Sequence, residues 1–276
     1  MPNSIGMNLL LWGTEMNDSH IPLLSALREM GYDGVEVPVL DTDEGKWKKW
    51  GRELDVLEMD RVAVSLNTAA HQLISADASM RKKTLEYNKR IVDCSAALGA
   101  RLLTGPLHSS LSVFSGKGPT AQELGRAQEQ LWELAEHAKS MGIIIGLEYL
   151  NRFESYLVTS TAELIALIDA VQHPHCKMMF DTFHANIEEK DPLSAIRSAG
   201  DRIVHVQLSE NDRSTIGSGQ IDFASTIAAL QSIHYTGMMS VEAFSTRLTA
   251  ANIWRKMFDS EMELAKQSIQ YIKQLI

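Results

Sequence analysis

Short apolar runs alternate along the chain with longer stretches in which apolar residues recur at helical spacing. A short run that is apolar throughout is typical of a parallel strand buried on both faces. Eight such runs are predicted to be strands, at residues 6–12, 34–39, 62–67, 101–105, 143–148, 177–181, 203–209 and 238–242. Helical patterns accompany them at about residues 19–30, 46–58, 79–98, 118–140, 161–172, 192–199, 222–233 and 250–275.

Eight strand–helix units in 276 residues fit one α/β fold, the (β/α)8 TIM barrel, better than a doubly wound sheet. No GxGxxG pattern follows the first predicted strand, which weighs against a dinucleotide-binding fold. Because no linker rich in Pro, Gly or Ser interrupts the pattern, residues 1–276 are predicted to form a single TIM-barrel domain. Three helix starts are specific: Thr120 stands at capping-box spacing before Glu123, Asp191 precedes a proline, and Asp222 is a predicted N-cap.

Composition and charge argue against several classes of partner. The net charge of −9 provides no basic face for phosphates, so no nucleic-acid partner is expected. No apolar run approaches the roughly 20 residues that a membrane helix needs, so no membrane association is predicted. The two cysteines, Cys94 and Cys176, lie far apart and form no CxxC pattern, which suits a reducing compartment. A cytoplasmic protein is therefore predicted.

Polar side chains end several consecutive strands of the predicted barrel. Glu148 ends the fifth strand, Asp181 the sixth and Glu242 the eighth, while the seventh carries His205 and Gln207. Active sites of TIM barrels lie at the C-terminal ends of the strands, so these side chains are expected at one rim. One strand-end acid alone is as often a helix N-cap or a surface residue. Several carboxylates at one rim repel one another, however, and a hard or borderline divalent cation, Mn²⁺ or Mg²⁺, would compensate their charge.

Four segments around these residues resemble a known family. Residues 146–154 (Gly-Leu-Glu-Tyr-Leu-Asn-Arg-Phe-Glu) resemble the strand-five motif of ketose 3-epimerases, the group of D-tagatose, D-psicose and L-ribulose 3-epimerases. Residues 180–184 (Phe-Asp-Thr-Phe-His) are similar to the strand-six motif of that group. Residues 209–213 (Ser-Glu-Asn-Asp-Arg) with 217–219 (Gly-Ser-Gly) are similar to its strand-seven loop, and Glu242 stands at its strand-eight acid. These enzymes belong to the xylose isomerase-like TIM barrels.

The resemblance implies a role for each matching residue. Glu148, Asp181 and Glu242 would bind a divalent metal, with Mn²⁺ preferred and Mg²⁺ or Co²⁺ as alternatives. Glu148 and Glu242 would also form the acid–base pair, on opposite faces of the bound sugar. Three further residues would hold the oxygens at C1 and C2 of the sugar: Glu154, His184 and Arg213. A homodimer or homotetramer is also implied, because relatives usually assemble in this way.

The implied reaction is the metal-dependent epimerisation of a free ketose at C3, which makes the chain an isomerase. A cation that polarises the C2 carbonyl lowers the barrier to losing the C3 proton. One carboxylate removes that proton and leaves a cis-enediolate, and the other returns a proton to the opposite face. Arg213 would stabilise the developing oxyanion.

The seventh strand departs from the family pattern. Relatives carry a metal-binding histidine six positions before the loop arginine, where this chain has Gln207. In one interpretation Gln207 binds the metal through its amide oxygen, as a glutamine does in relatives similar to hydroxypyruvate isomerase. In the other, His205 binds the metal and the register has shifted. Residues two apart on a strand point the same way, so His205 should face inward one layer deeper. The first interpretation is favoured because it keeps the spacing to Arg213.

Three residues outside these motifs are weaker candidates. His108 follows the fourth predicted strand and is a candidate for substrate binding, with a capping or loop role as the alternative. Glu36 and Asn67 lie near the ends of the second and third strands and could line the pocket. For Glu36, a structural position inside the barrel is favoured.

Gln207 also leaves a second function open, a related metal-dependent sugar isomerase or lyase similar to hydroxypyruvate isomerase or to a keto-inositol or keto-sugar enzyme. An endonuclease built on this barrel is disfavoured, because it would need a histidine-rich cluster of zinc ions and a surface that does not repel DNA. A non-catalytic sugar-binding barrel would not need both Glu148 and Glu242. A small keto sugar is therefore the expected partner.

Overall fold

Eight parallel strands close into a barrel in which each strand pairs with the next in sequence and the last returns to the first. The computed structural model describes residues 3–248 and 251–276. The predicted (β/α)8 TIM barrel is confirmed. The strands are β1 (Ile5–Asn8), β2 (Gly34–Pro38), β3 (Asp60–Val64), β4 (Leu102–Gly105), β5 (Ile144–Leu147), β6 (Cys176–Asp181), β7 (Ile203–Leu208) and β8 (Met239–Val241).

Helices surround the barrel because each has one apolar face that must be covered. In the helix from Ala121 to Ser140, the buried residues Ala127, Leu131, Leu134 and Ala138 recur at intervals of three or four. The α-helices of the described residues are α1 (Ile21–Met30), α2 (Glu44–Val56), α3 (Ala78–Ala97), α4 (Ala121–Ser140), α5 (Thr161–Val171), α6 (Thr182–Glu188), α7 (Pro192–Ala199), α8 (Phe223–Ser232) and α9 (Glu261–Ile272).

The three specific helix starts are where the sequence predicts them. Thr120 Oγ1 accepts a hydrogen bond from the Glu123 amide at 3.2 Å, and the Glu123 carboxylate accepts one from the Thr120 amide at 2.8 Å. Asp191 caps α7 by accepting from the Ser194 amide at 3.0 Å, and Asp222 caps α8 in the same way. Each cap satisfies an amide that the helix itself leaves unpaired.

The strands separate an apolar layer from a polar lumen. Val206 and Leu208 of β7 belong to the apolar core between barrel and helices, and both are fully buried. The alternate residues, His205 and Gln207, are equally buried but have polar side chains. Because alternate side chains of a strand point to opposite faces, the lumen of the barrel holds the polar groups. This arrangement sets buried polar side chains next to the rim at which the strands end.

Two predicted elements are wrong in part. The first strand ends at Asn8 rather than at residue 12, because the Asn8 side chain accepts from the Leu10 amide at 2.9 Å and starts a short 3-10 helix over Leu9–Leu11. The last helix begins at Glu261 rather than near residue 250. Residues 252–260 contain no helix, Asn252 has a left-handed φ of 55°, and Ser260 caps α9. Residues 249 and 250 lie outside the described residues.

Helix α6 was not predicted at all. It is only seven residues long and follows β6 without a loop, so its sequence gives too short a pattern to recognise. No helix in residues 3–248 or 251–276 has the length and apolar character needed to cross a bilayer. The organisation of residues 1–276 as a single domain stays a prediction.

Candidate active site

Each of the four predicted metal ligands lies at or next to the C-terminal end of its strand. Glu148 directly follows β5, Asp181 ends β6, Gln207 lies near the end of β7 and Glu242 directly follows β8. Asp181 pairs in register with Gln207, and Gln207 pairs with Ser240, which lies two positions before Glu242. All four ligand candidates are buried, with at most 6% of any residue exposed.

A cavity of about 700 Å³ opens at this rim. Five residues that the sequence singled out line it together: Glu148, Glu154, His184, Arg213 and Glu242. The wall away from these charged groups is mostly apolar and includes Leu10, Leu40, Val64, Leu66 and Leu111. The motifs from strands five to eight therefore meet in one place, as their positions at the strand ends predicted.

Arg213 is held by several contacts at once. Its Nη1 donates to Asp181 Oδ2 at 2.8 Å and also contacts Glu242 Oε2. Its guanidinium carbon lies 3.8 Å from the centre of the Phe183 ring, and Phe244 lies against it as well. The Arg213 backbone has a φ of 61°, a conformation that non-glycine residues rarely adopt. The surrounding contacts thus fix this side chain in position before any substrate binds.

His184 has polar partners at both ring nitrogens. Its Nδ1 accepts from the Asn151 amide at 3.0 Å, and a backbone N–H can only donate. Its Nε2 lies 3.1 Å from Arg213 Nη2, 3.4 Å from Glu148 Oε1 and 3.5 Å from Asp181 Oδ2. One ligand atom each from Glu148, Asp181 and His184 lie within 4.8 Å of one another, close enough for these three residues to hold a metal ion. The structure thus brings His184, expected to bind substrate, close to two predicted metal ligands.

Burial controls the ionisation of the two glutamates. Burial raises the pKa of the Glu148 carboxyl above its ordinary value and raises that of Glu242 well above it. For Arg213, burial alone would lower the pKa, but the surrounding carboxylates outweigh it and raise the pKa above its ordinary value. The site therefore holds a charged guanidinium beside two carboxyl groups whose protonated form is favoured by burial.

The donor set suits a divalent cation. The carboxylates Glu148, Asp181 and Glu242 are buried around a single guanidinium, which leaves an excess of negative charge if all three ionise. The Gln207 amide oxygen is buried and has no hydrogen-bond partner in the part of the chain that the structure describes, an arrangement that a bound cation would resolve. Carboxylate, amide and imidazole donors are ligands for Mn²⁺, Mg²⁺ or Co²⁺ rather than for thiolate-preferring ions.

Gln207 and His205 differ in depth as expected. His205 pairs with Met179, one layer below the level of Asp181 and Gln207. His205 Nε2 lies 3.3 Å from Glu36 Oε2 inside the barrel, whereas the Gln207 amide nitrogen donates to Glu36 Oε1 at 2.9 Å. Glu36 is fully buried and does not line the cavity, which agrees with the structural position favoured for it.

His108 is not brought to the cavity. It is fully buried and its Nε2 lies 2.7 Å from the carbonyl oxygen of Glu148, to which it donates. Burial lowers the pKa of His108 to about 4, so the ring is neutral near pH 7. Its position behind the strand-five glutamate, rather than beside the substrate space, does not fit the expected contact with substrate. Asn67 is likewise buried outside the cavity lining, where its side chain donates to the Leu107 carbonyl.

Three residues without an assigned role hold the site in place. Asn8 Nδ2 donates to Glu242 Oε1 at 3.0 Å, and Asn151 Nδ2 donates to Glu154 Oε1 at 2.9 Å. The fully buried Glu210 accepts from three backbone amides of the loop that carries Arg213, those of Asn211, Gly217 and Ile221. The sequence feature that could have identified Asn8 is that it is a polar residue inside the first apolar run. Asn151 and Glu210 stood in recognised motifs, but their partners could not be predicted.

Comparison with known proteins agrees with this geometry. The model of the xylose isomerase-like TIM barrel family matches residues 24–275. The chain belongs to this family. An L-ribulose 3-epimerase from Methylomonas sp. (strain DH-1) is 30% identical over 282 residues, which cover 98% of this chain and 96% of that protein. An L-ribulose 3-epimerase from Mesorhizobium japonicum is 31% identical over 276 residues, covering 97% of this chain and 92% of that protein.

Solved structures extend the comparison. The structure of an L-ribulose 3-epimerase aligns with a TM-score of 0.93 at 28% identity, covering 99% of this chain and 94% of that one. A D-allulose 3-epimerase from Methylomonas sp. in complex with D-allulose aligns with a TM-score of 0.91 at 27% identity, covering 100% and 98%. The predicted membership among ketose 3-epimerases of this family and the enzyme class, isomerase, are confirmed.

Proposed function

We propose that this protein epimerises a free ketose at C3 and that Glu148 and Glu242 exchange the C3 proton. The observation that carries the proposal is that both carboxyl groups are buried and line one cavity, beside an arginine fixed by its contacts. Inversion at C3 needs a group that removes a proton from one face of the substrate and a group that returns a proton to the other. A reaction that shuttles the proton on one face would need only one of them.

The ionisation of the two glutamates suits this exchange. One carboxyl must be ionised to accept the C3 proton, and the other must be protonated to donate to the cis-enediolate. Burial raises the pKa of both groups above the ordinary value, which favours the protonated form of each carboxyl compared with an exposed glutamate. Returning the proton reverses the two states, so the pair serves the reaction in either direction.

The remaining residues bind and orient the substrate. Arg213 and His184 would donate to the substrate oxygens at C1 and C2, and Glu154 would accept from a hydroxyl there. Glu148, Asp181, Gln207 and Glu242 would hold a divalent cation, with Mn²⁺ preferred over Mg²⁺ or Co²⁺. When bound, the cation supplies Lewis-acid polarisation of the ketone, which acidifies the adjacent C3–H bond.

The lining of the cavity favours an unphosphorylated sugar. Among the described residues that line it, Arg213 is the only arginine or lysine, and it already contacts Asp181 and Glu242. A phosphate would therefore find no lysine, and no arginine that is free of carboxylate partners, among these lining residues. Among its relatives, the D-allulose 3-epimerase from Methylomonas sp. has been solved with D-allulose, a free ketose.

Product analysis tests this function. The protein would be incubated with Mn²⁺ and, separately, D-fructose, D-tagatose or L-ribulose, and the products separated by chromatography. The C3 epimer of at least one ketose is expected with the wild type, and none with Glu148→Gln or Glu242→Gln. Turnover of hydroxypyruvate, together with no epimer from any ketose, would contradict the proposal.

Gln207 supports a second candidate, a related metal-dependent sugar isomerase or lyase of the hydroxypyruvate isomerase or keto-inositol type. Its amide oxygen, unpaired within residues 3–248 and 251–276, would be a neutral oxygen ligand where the epimerase pattern has histidine. The same product analysis separates the two candidates.

A cytoplasmic location and assembly into a homodimer or homotetramer are further proposals. Phe153 and Trp254, which are 73% and 82% exposed, would be covered by assembly, and light scattering after size exclusion tests this.

A further inference from the structure

A buried polar cluster lies inside the barrel next to the candidate metal site. Its centre is Glu36 on β2, whose carboxylate is fully buried and meets side chains from two other strands. Oε1 accepts from Thr104 Oγ1 at 3.0 Å and from Gln207 Nε2 at 2.9 Å, and Oε2 lies 3.3 Å from His205 Nε2. Glu36 is outside the lining of the substrate cavity, so it does not contact the sugar.

The carboxylate determines which way the Gln207 amide faces. The Gln207 NH₂ group donates to Glu36 Oε1 at 2.9 Å, so the NH₂ end of the amide is the end that faces Glu36. The amide oxygen then faces away from Glu36, and it is buried without a hydrogen-bond partner among the described residues. Gln207 stands at the level of Asp181, its partner in the register of the two strands. An oriented and unpaired oxygen at this level is the ligand that a cation needs.

We propose that Glu36 is a positioning residue that fixes the Gln207 amide, so that Gln207 Oε1 is presented as a ligand of the metal site. The inference rests on the proposed function only in assuming that the site binds a divalent cation. Without this hydrogen bond, the amide could present either its oxygen or its NH₂ group, and an NH₂ group cannot bind a cation. Glu36 would act as the partners behind metal ligands commonly do, by orienting a ligand without touching the metal.

A double-mutant cycle on metal affinity tests this role. The binding of Mn²⁺ would be measured by calorimetry for the wild type, Glu36→Gln, Gln207→Leu and the double variant. Glu36→Gln keeps the size of the side chain but can offer the Gln207 amide a donor or an acceptor. The affinity is expected to fall by about 10- to 100-fold in each single variant. The double variant should be no weaker than Gln207→Leu alone, because Glu36 then has no amide to orient.

The cycle also excludes a simpler explanation. If Glu36 attracted the cation only through its negative charge, Glu36→Gln would weaken binding equally in the presence and absence of Gln207. That result, or unchanged affinity in Glu36→Gln, would overturn the proposal. The visible absorption of bound Co²⁺ gives an independent readout, because loss of an oxygen ligand should change the spectrum of Glu36→Gln and Gln207→Leu in the same way.

Two further measurements keep the outcome decisive. If Glu36→Gln does not fold, as judged by circular dichroism in EDTA, Glu36→Asp takes its place in the cycle, because it keeps the charge but draws the carboxylate back from the Gln207 amide. Wild-type Mn²⁺ affinity in Gln207→Leu would overturn the proposal, since Gln207 would not be a ligand. Binding of Mn²⁺ by the wild type without epimerisation of any ketose would contradict the proposed function, while the coupling between Glu36 and Gln207 would still be measured.

Discussion

At the scale of single residues, Asp181 both caps a helix and contacts the arginine of the candidate active site, the two roles that were weighed for a strand-end acid. Its Oδ1 accepts from the Phe183 amide at 2.8 Å and caps α6, while its Oδ2 accepts from Arg213 at 2.8 Å. The sequence predicted where such acids lie, because strand ends follow from the hydrophobic pattern. It could not predict their partners, since Asn8 and Glu242 are 234 positions apart and meet only when the barrel closes.

Replacing either glutamate of the proposed acid–base pair should remove turnover. Glu148→Gln and Glu242→Gln are each expected to lower kcat by about 10²- to 10⁴-fold, because an amide cannot exchange the proton. Steady-state assays with the best ketose measure this effect. Glu133→Gln, at an exposed position of α4, is the matched control and should keep wild-type kcat. Near-normal turnover by either active-site variant would remove that residue from the pair.

His108 should make the stability of the fold depend on pH. Its pKa is lowered from 6.5 to about 4 by burial, so between these values the unfolded chain binds a proton that the folded chain does not. The free energy of unfolding therefore falls as pH falls through this window, by an amount approaching about 3 kcal/mol at its lower end.

Urea unfolding of the wild type and His108→Gln between pH 7 and about pH 4 measures this contribution. The glutamine can still donate to the Glu148 carbonyl but has no proton to take up. The loss of stability on acidification should therefore be smaller in the variant. Identical slopes in the two proteins would show that His108 protonates equally readily in the folded and unfolded states.

At the scale of elements, prediction succeeded where a pattern was long or chemically specific. The capping box at Thr120 and the buried face of α4 were both readable. Prediction failed where a local side-chain hydrogen bond ended the strand despite the apolar pattern, as at Asn8. It also failed where an element was short, as in α6. The helix predicted from residue 250 was wrong over residues 252–260 for a third reason. Several of these residues, including Asn252 and Met257, line the cavity instead of continuing a helix.

The end of β4 depends on a glycine. Gly105 has a φ of 121°, and a Cβ there would lie 2.0 Å from the Ser65 carbonyl oxygen. Gly105→Ala should therefore lower the free energy of unfolding by about 3 kcal/mol or more, through clash and backbone strain. The Gly125→Ala variant is the control, because this α4 position has open space and alanine should stabilise the helix by about 0.5–1 kcal/mol. Chemical denaturation of both variants measures the contrast, and equal stabilities would contradict it.

At the scale of the whole molecule, the barrel brings distant segments to one rim. Glu148, Asp181 and Glu242 are separated by long stretches of sequence, yet each lies where its strand ends. Barrel topology and family resemblance together were enough to predict this gathering. The polar lumen beneath the rim, with Glu36 between Thr104 and Gln207, was not predictable in detail, because the pairing of lumen side chains depends on the shear of the closed sheet.

A cation should stabilise the whole fold. The carboxylates of the site repel one another, and a ligand that binds only the folded state raises the free energy of unfolding in proportion to the logarithm of its concentration. The melting temperature should therefore rise when Mn²⁺ is added to protein stripped with EDTA. In Glu148→Gln and Glu242→Gln the rise should be smaller. A melting temperature that is independent of Mn²⁺ would contradict a metal site at this rim.

The most direct test of the account follows the hydrogen at C3. The protein would be incubated with Mn²⁺ and its best ketose in D₂O, and both sugars examined by NMR. The account predicts that the epimerised product carries deuterium at C3 and that hydrogens at C1 do not exchange, because only the C3 proton passes through Glu148 and Glu242. Formation of an aldose, with deuterium entering at C1 or C2 and C3 left protonated, would contradict it.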